Sequence, residues 1–276
     1  MSSIDHEKRP AELPMSENNL SVENNTIQLR GKIKHCTRNA YINLRKSWTL
    51  HPVDSEMSLF RAITAEEEAA TALMLALKQQ HYPNAEQLNP RNHTHKSAFT
   101  PFLNAVNNVL AKTDLPKLEL TMSTQGRPQI HIRLKIQKAL GSDEPMFIKP
   151  DQPLNFTMGL ESSPTSHSRI FDDELRTISE GRRLRNIVSL VRKEANLRNE
   201  ILYACDTGVP TVEFPDSLIV DRLRRVNTLH MLTIAILQTS SHQLFAIQCL
   251  EAFLTTVGKL PKLEHDFAAI TKGGPS

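Results

Sequence analysis

The chain has 276 residues, of which 39% are hydrophobic and 23% charged, and 33 basic residues against 30 acidic ones leave a formal net charge of +3. That is enough apolar material for one large domain or two modest ones, and a balance this slight does not identify a nucleic-acid binder, so any such role must be sought in local clusters. Aromatics are only 5%, with Trp48 the single tryptophan, so an aliphatic core of helices packed on helices is expected.

Residues 1–30, including PAELPMSENNLSVENNTI, are polar, rich in Asn, Ser and Glu, and without periodicity, which reads as a disordered leader. From Lys34 onward, HCTRNAYINLRKSWTLH spaces Ala40, Leu44 and Trp48 at helical intervals, until Pro52 and Asp54 interrupt. SEMSLFRAITAEEEAATALMLALKQQ predicts a stronger helix with Ser55 as N-cap and Tyr82-Pro83 as the stop. NPRNHTHKSAFTPFLNAVNNVLAK predicts another, bent or restarted at Pro101. At 117–137 the period changes to two: Leu118, Leu120 and Met122, then Ile130, Ile132, Leu134 and Ile136, flank TQGRP, the pattern of a β-hairpin inserted between helices. An irregular, Pro-rich linker is expected over 141–169. Helical spacing resumes in DDELRTISEGRRLRNIVSLVRKEANLRNEILYA, in DSLIVDRLRRVNTLHMLTIAILQTS capped by Asp216, and in SHQLFAIQCLEAFLTTVGKL, which stops at Gly258 and Pro261. The expected architecture is mainly α: a single helical domain over 31–262 with an inserted β-hairpin, followed by a tail at 263–276.

The cysteines, Cys36, Cys205 and Cys249, are odd in number and contain no C-x-x-C, so neither a disulfide framework nor a thiolate zinc site is indicated. The start MSSIDHEKRP lacks an apolar run, and the longest apolar stretch, near 229–237, falls short of the ~20 residues of a membrane span. A cytoplasmic protein without membrane contact is expected.

LRRVNTLHML places Arg225 and His230 in an R-x4-H pattern, the arrangement of many small helical ribonucleases. Metal-free RNA cleavage needs a base near neutral pKa for the 2′-hydroxyl, which suits His230, and a fixed cation on the scissile phosphate, which suits Arg225 or Arg198. Against this, similar spacings occur at Arg30/His35, Arg45/His51 and Arg224/His230, and five residues along a helix rotate by about 140°, so Arg225 and His230 point to different sides. The alternative is a helix with a basic outer face.

Three further groups of residues carry chemistry. Glu66, Glu67 and Glu68 span about 200° of their helix, so at least one carboxylate must face neighbouring helices and needs a cation, for which His93, His95, Lys96 and Arg198 are candidates. His93 and His95 are one residue apart, but no third ligand lies close by, so no metal site and no cofactor are expected. Arg182, Arg183, Arg185 and Arg192 form a basic run suited to a phosphate backbone, though without interleaved aromatics for base stacking.

SLFRAITAEEEAATALMLALK, NHTHK and NLRNEILYACDTGVPTVEFP, the last through Leu202, Tyr203, Asp206, Gly208 and Pro215, resemble in order the HEPN-like abortive-infection proteins of the AbiV type. The resemblance touches about a third of the chain, and by register the family's lysine after the Glu-Glu pair falls at Thr71. It implies a HEPN-type helical bundle, often a homodimer, in bacterial defence against phage, with RNA or a phage- or operon-encoded protein as partner. The resemblance does not itself imply RNA cleavage; the activity expected beside it is a metal-independent endoribonuclease with His230 as base, Arg225 or Arg198 as phosphate clamp, and Glu67, Glu68, His93, His95 and Tyr203 around them. The rival expectation is a non-catalytic helical adaptor or regulator that binds protein or nucleic acid.

Overall fold

A computed structural model describes residues 9–112, 152–158, 171–181, 187–202 and 211–258. The described residues are mainly helical and include no strand. In chain order the helices are α1 (Glu17–Thr26), α2 (Gly31–Leu50), α3 (Ser55–Gln79), a 3-10 turn (Ala85–Gln87), α4 (His93–Lys112), α5 (Asp172–Gly181), α6 (Ile187–Leu202), α7 (Asp216–Gln238) and α8 (Leu244–Gly258). The expected hairpin at 117–137 and tail at 263–276 lie outside the described residues, as do Arg182, Arg183, Arg185, Tyr203 and the side chain of Arg198.

The centre of the bundle is α3, packed chiefly against α2 and α7. Its sequence explains the position. Ala62, Ala65, Ala69, Ala72 and Ala76 recur every three or four residues and are fully buried, and small side chains at that period let neighbouring backbones approach closely. The helix starts where Asp54, rather than the expected Ser55, caps it: the Asp54 carboxylate accepts the Met57 N–H at 2.8 Å. At α7 the expected cap Asp216 lies in the first turn, and extended Pro215 occupies the cap position. Pro101 sits inside α4 without ending it, but having no N–H it leaves the Ser97 carbonyl without its helical donor.

The disordered leader is corrected. Residues 17–26 form α1, with Val22 fully buried and Leu13 at 8% exposure on the approach to it. The chain before it is held by polar contacts: Trp48 Nε1 donates to the Pro10 carbonyl at 3.0 Å, and the Arg9 guanidinium lies over the Trp48 ring and pairs with Asp216 at 2.7 Å. On α1 itself, Asn19 accepts from Asn227 at 2.7 Å and Glu23 pairs with Arg45 at 2.6 Å. Two apolar anchors do not make a periodic pattern, which is why composition alone reads this segment as unstructured.

Part of the expected irregular linker also takes a defined place. Residues 154–158 run beside α8 and are fastened by two buried glutamines. Gln243 accepts the Leu154 N–H at 2.8 Å; Gln248 accepts the Met158 N–H at 2.9 Å and donates to the Met158 carbonyl at 2.6 Å. These bonds satisfy backbone groups that burial would otherwise leave costly. Phe99 and Phe102 of α4 meet Phe253 of α8, with ring centroids 4.3 and 5.5 Å away, and close that end of the core.

Candidate functional site

Two of the three consecutive glutamates are buried, each facing a different helix. Glu66 points to α7: it pairs with Arg222 and with Arg225 Nη1 at 3.2 Å, and accepts from Thr100 Oγ1 at 3.1 Å. Glu67 points to α4: it accepts from His93 Nδ1 at 2.8 Å and from Lys96 Nζ at 3.3 Å. The register accounts for this. Adjacent positions on α3 diverge by about 100°, while Arg222/Arg225 and His93/Lys96 are each three residues apart and so share one helix face. Each carboxylate thus meets an i,i+3 pair of nitrogen donors.

These groups line a small pocket, about 20 Å³, formed by Ile63, Glu66, Glu67, Lys96, Ser97, Thr100 and Arg222. That is room for about one water molecule. Among the described residues the cluster sets two carboxylates against the three fixed cations Arg222, Arg225 and Lys96, with His93 at the rim. Arg222 is sealed at 7% side-chain exposure, whereas Arg225 is at 35%. The cluster is an ion network that ties α3, α4 and α7 together.

Glu68, His95 and Arg192 do not join it. Glu68 lies against Cys36 on α2, where burial first and the carboxylate second push the thiol up to about 12. His95 turns the other way: its Nδ1 accepts the Asn89 N–H at 3.2 Å, and burial, with Lys78 nearby, holds its pKa below the ordinary imidazole value. Arg192 is half-buried on α6, and the backbone of Arg198 lies on the same helix. Among the described residues no group of three His, Cys, Asp or Glu side chains is arranged to hold a metal ion.

His230 lies in the core. It is fully buried in α7, and neither ring nitrogen has a hydrogen-bond partner among the described residues. Its ring is tilted against Tyr41 of α2, with centroids 5.0 Å apart. Burial brings its pKa down to about 3, so it is a neutral imidazole at physiological pH. A general base must reach the proton it removes; in this position His230 reaches neither solvent nor the Glu66–Arg225 pair. Arg225 is directed to α3 and His230 to α2, the divergence that the 140° offset implies. The R-x4-H spacing here is divided between an ion network and the core.

Near His230, the Tyr41 hydroxyl donates to Asn227 Oδ1 at 2.5 Å, and Asn227 Nδ2 donates to Asn19 Oδ1 at 2.7 Å, a polar thread running from α2 through α7 to α1. A larger pocket of about 100 Å³ between α3, α4, α7 and α8 has apolar walls that include Leu73, Leu77, Phe99, Ile236, Cys249 and Phe253. Half-buried Cys249 lines it, and burial raises its thiol well above the ordinary value. Arg222 and Thr100 are the network members the sequence reading left out. Arg222 sits in LRR beside Arg224 and Arg225 and looks like one more surface cation. No protein-family model matches the chain, and neither a curated protein nor a solved structure matches it.

Proposed function

We propose that this chain is a non-catalytic helical adaptor or regulator, acting by binding a partner rather than by cleaving RNA. The observation that carries the reading is the position of His230: fully buried, without hydrogen-bond partners among the described residues, and on a different side of α7 from Arg225. A charge network centred on Glu66 and Glu67 then serves to fix three helices relative to one another, a role that needs burial rather than access. The setting we propose is bacterial defence against phage, which the AbiV-type resemblance implies, with a nucleic acid or a phage- or operon-encoded protein as the bound partner.

Two measurements test this. Purified protein incubated with labelled RNA in the presence of a chelator is expected to give no cleavage that His230→Ala removes. Cleavage that disappears in a folded His230→Ala protein would overturn the non-catalytic reading. Phage plated on cells with and without the chain should differ in plaque number; equal plating across a broad phage panel would remove the defence setting.

A further inference from the structure

A cationic surface lies away from the ion network, on α2. Its sequence, GKIKHCTRNAYINLRKSWTL, holds Lys32, Lys34, Arg38, Arg45 and Lys46 and no acidic residue. The buried residues Ile33, Cys36, Thr37, Ala40, Tyr41 and Leu44 take the inner face. Lys32, His35, Arg38, Asn39, Ile42, Arg45 and Lys46 are exposed and fall within an arc of about 140°. Lys32 and Lys46 stand about 21 Å apart along the axis. Arg30, just before the helix, is exposed as well. Glu23 takes Arg45, whereas Arg30, Lys32, Lys34, Arg38 and Lys46 have no ion-pair partner among the described residues. Three of these cations crowd the start of the helix, where its dipole is positive and like charge is unfavourable. The local fold gains nothing from that arrangement, but a polyanion would.

We propose that the exposed face of α2 binds the phosphate backbone of a double-stranded nucleic acid without reading its sequence. The occupant follows from what the face lacks as much as from its charge. No Phe, Tyr or Trp is exposed on it for stacking unpaired bases, and His35 is its single exposed ring, which disfavours single strands. Its one exposed apolar residue is Ile42, at 37%, too little for the buried anchor of a protein interface. The helix's apolar face is already spent on the core, so it has nothing to insert into a lipid surface. What remains is a row of cations, all but Arg45 without an ion-pair partner among the described residues, the requirement of a duplex backbone. The proposal rests on the binding role above and names the class of partner.

The test is a salt titration of the full chain against labelled 20-base-pair DNA and RNA duplexes, followed by fluorescence anisotropy. Five phosphate contacts give a slope of log K on log salt of about −4.5, and Lys32→Ala/Arg38→Ala/Lys46→Ala, which leaves two, lowers it to about −1.8. Between 50 and 200 mM salt the wild-type affinity should fall by about 500-fold. The three side chains are exposed, so an unchanged melting curve shows that the variant is folded. Absence of duplex binding at low salt, or a slope that the triple variant leaves unchanged, overturns the proposal; so does binding to phosphatidylserine vesicles without binding to either duplex. His230-dependent RNA cleavage would sink the non-catalytic reading while leaving these slopes as they are, so the two failures are distinguishable.

Discussion

Replacing Glu66 by alanine should be among the most destabilising single changes in the chain. The side chain of Glu66 is 9% exposed and that of Arg222 7%. Removing the carboxylate therefore leaves a desolvated guanidinium without its ion-pair partner, and Arg222 Nε has no hydrogen-bond partner among the described residues. Breaking a buried ion pair from one side costs about 3–5 kcal/mol. Against a total stability of about 5–15 kcal/mol that is a large fraction, equivalent to a fall in melting temperature of roughly 6–20 °C. Removing both charges behaves differently: Glu66→Leu with Arg222→Met replaces two desolvated ions by apolar groups of similar size and should be neutral or stabilising. Arg225, at 35% exposure, should cost about 0–1 kcal/mol as alanine. Urea denaturation of Glu66→Leu, Arg222→Met and the double variant closes the cycle. A Glu66→Ala cost below about 1 kcal/mol, with no coupling to Arg222, would refute the claim that this network fixes the bundle.

Two other outcomes follow from the packing. His230→Leu keeps the volume and removes two buried nitrogens that have no hydrogen-bond partner among the described residues, so it should raise stability by about 1–3 kcal/mol. It should also flatten the acid limb: the folded value of about 3 lies below the 6.5 of the free side chain, so the unfolded chain takes up the proton first, and wild-type stability declines as pH falls from about 6.5 toward about 3. A leucine variant less stable than wild type, with an unaltered pH profile, would contradict this. Val22→Ala on α1 should cost about 1–3 kcal/mol; no change in the denaturation midpoint would show that α1 does not dock.

The sequence was most legible where one physical rule acted alone. The stretches that became α2, α3, α4, α7 and α8 follow from apolar spacing, because a helix that buries one face must repeat at about 3.6 residues. The need of the glutamate run for cations from other helices follows from its angular width, and His93 and Lys96 were among the partners considered. Arg222 was missed because a cation's burial depends on what the neighbouring helix presents. His95 differs from His93 for the same reason: two residues along a helix turn by about 200°, so only one of them can face Glu67. The burial of His230 depends on Tyr41, distant in sequence. The cationic face of α2 was hidden by its own interleaving, since its charges alternate with buried residues and do not form a run.

The central claim, that His230 belongs to the core and takes no part in proton transfer, is tested most directly by following its imidazole signal by NMR between pH 5 and 8, assigned through its loss in His230→Asn. The account predicts a neutral ring with no titration step anywhere in that range, in keeping with a value brought down to about 3 by burial. A titration midpoint near 6.5, the ordinary imidazole value, would place the ring in contact with solvent and return Arg225 and His230 to consideration as a ribonuclease site.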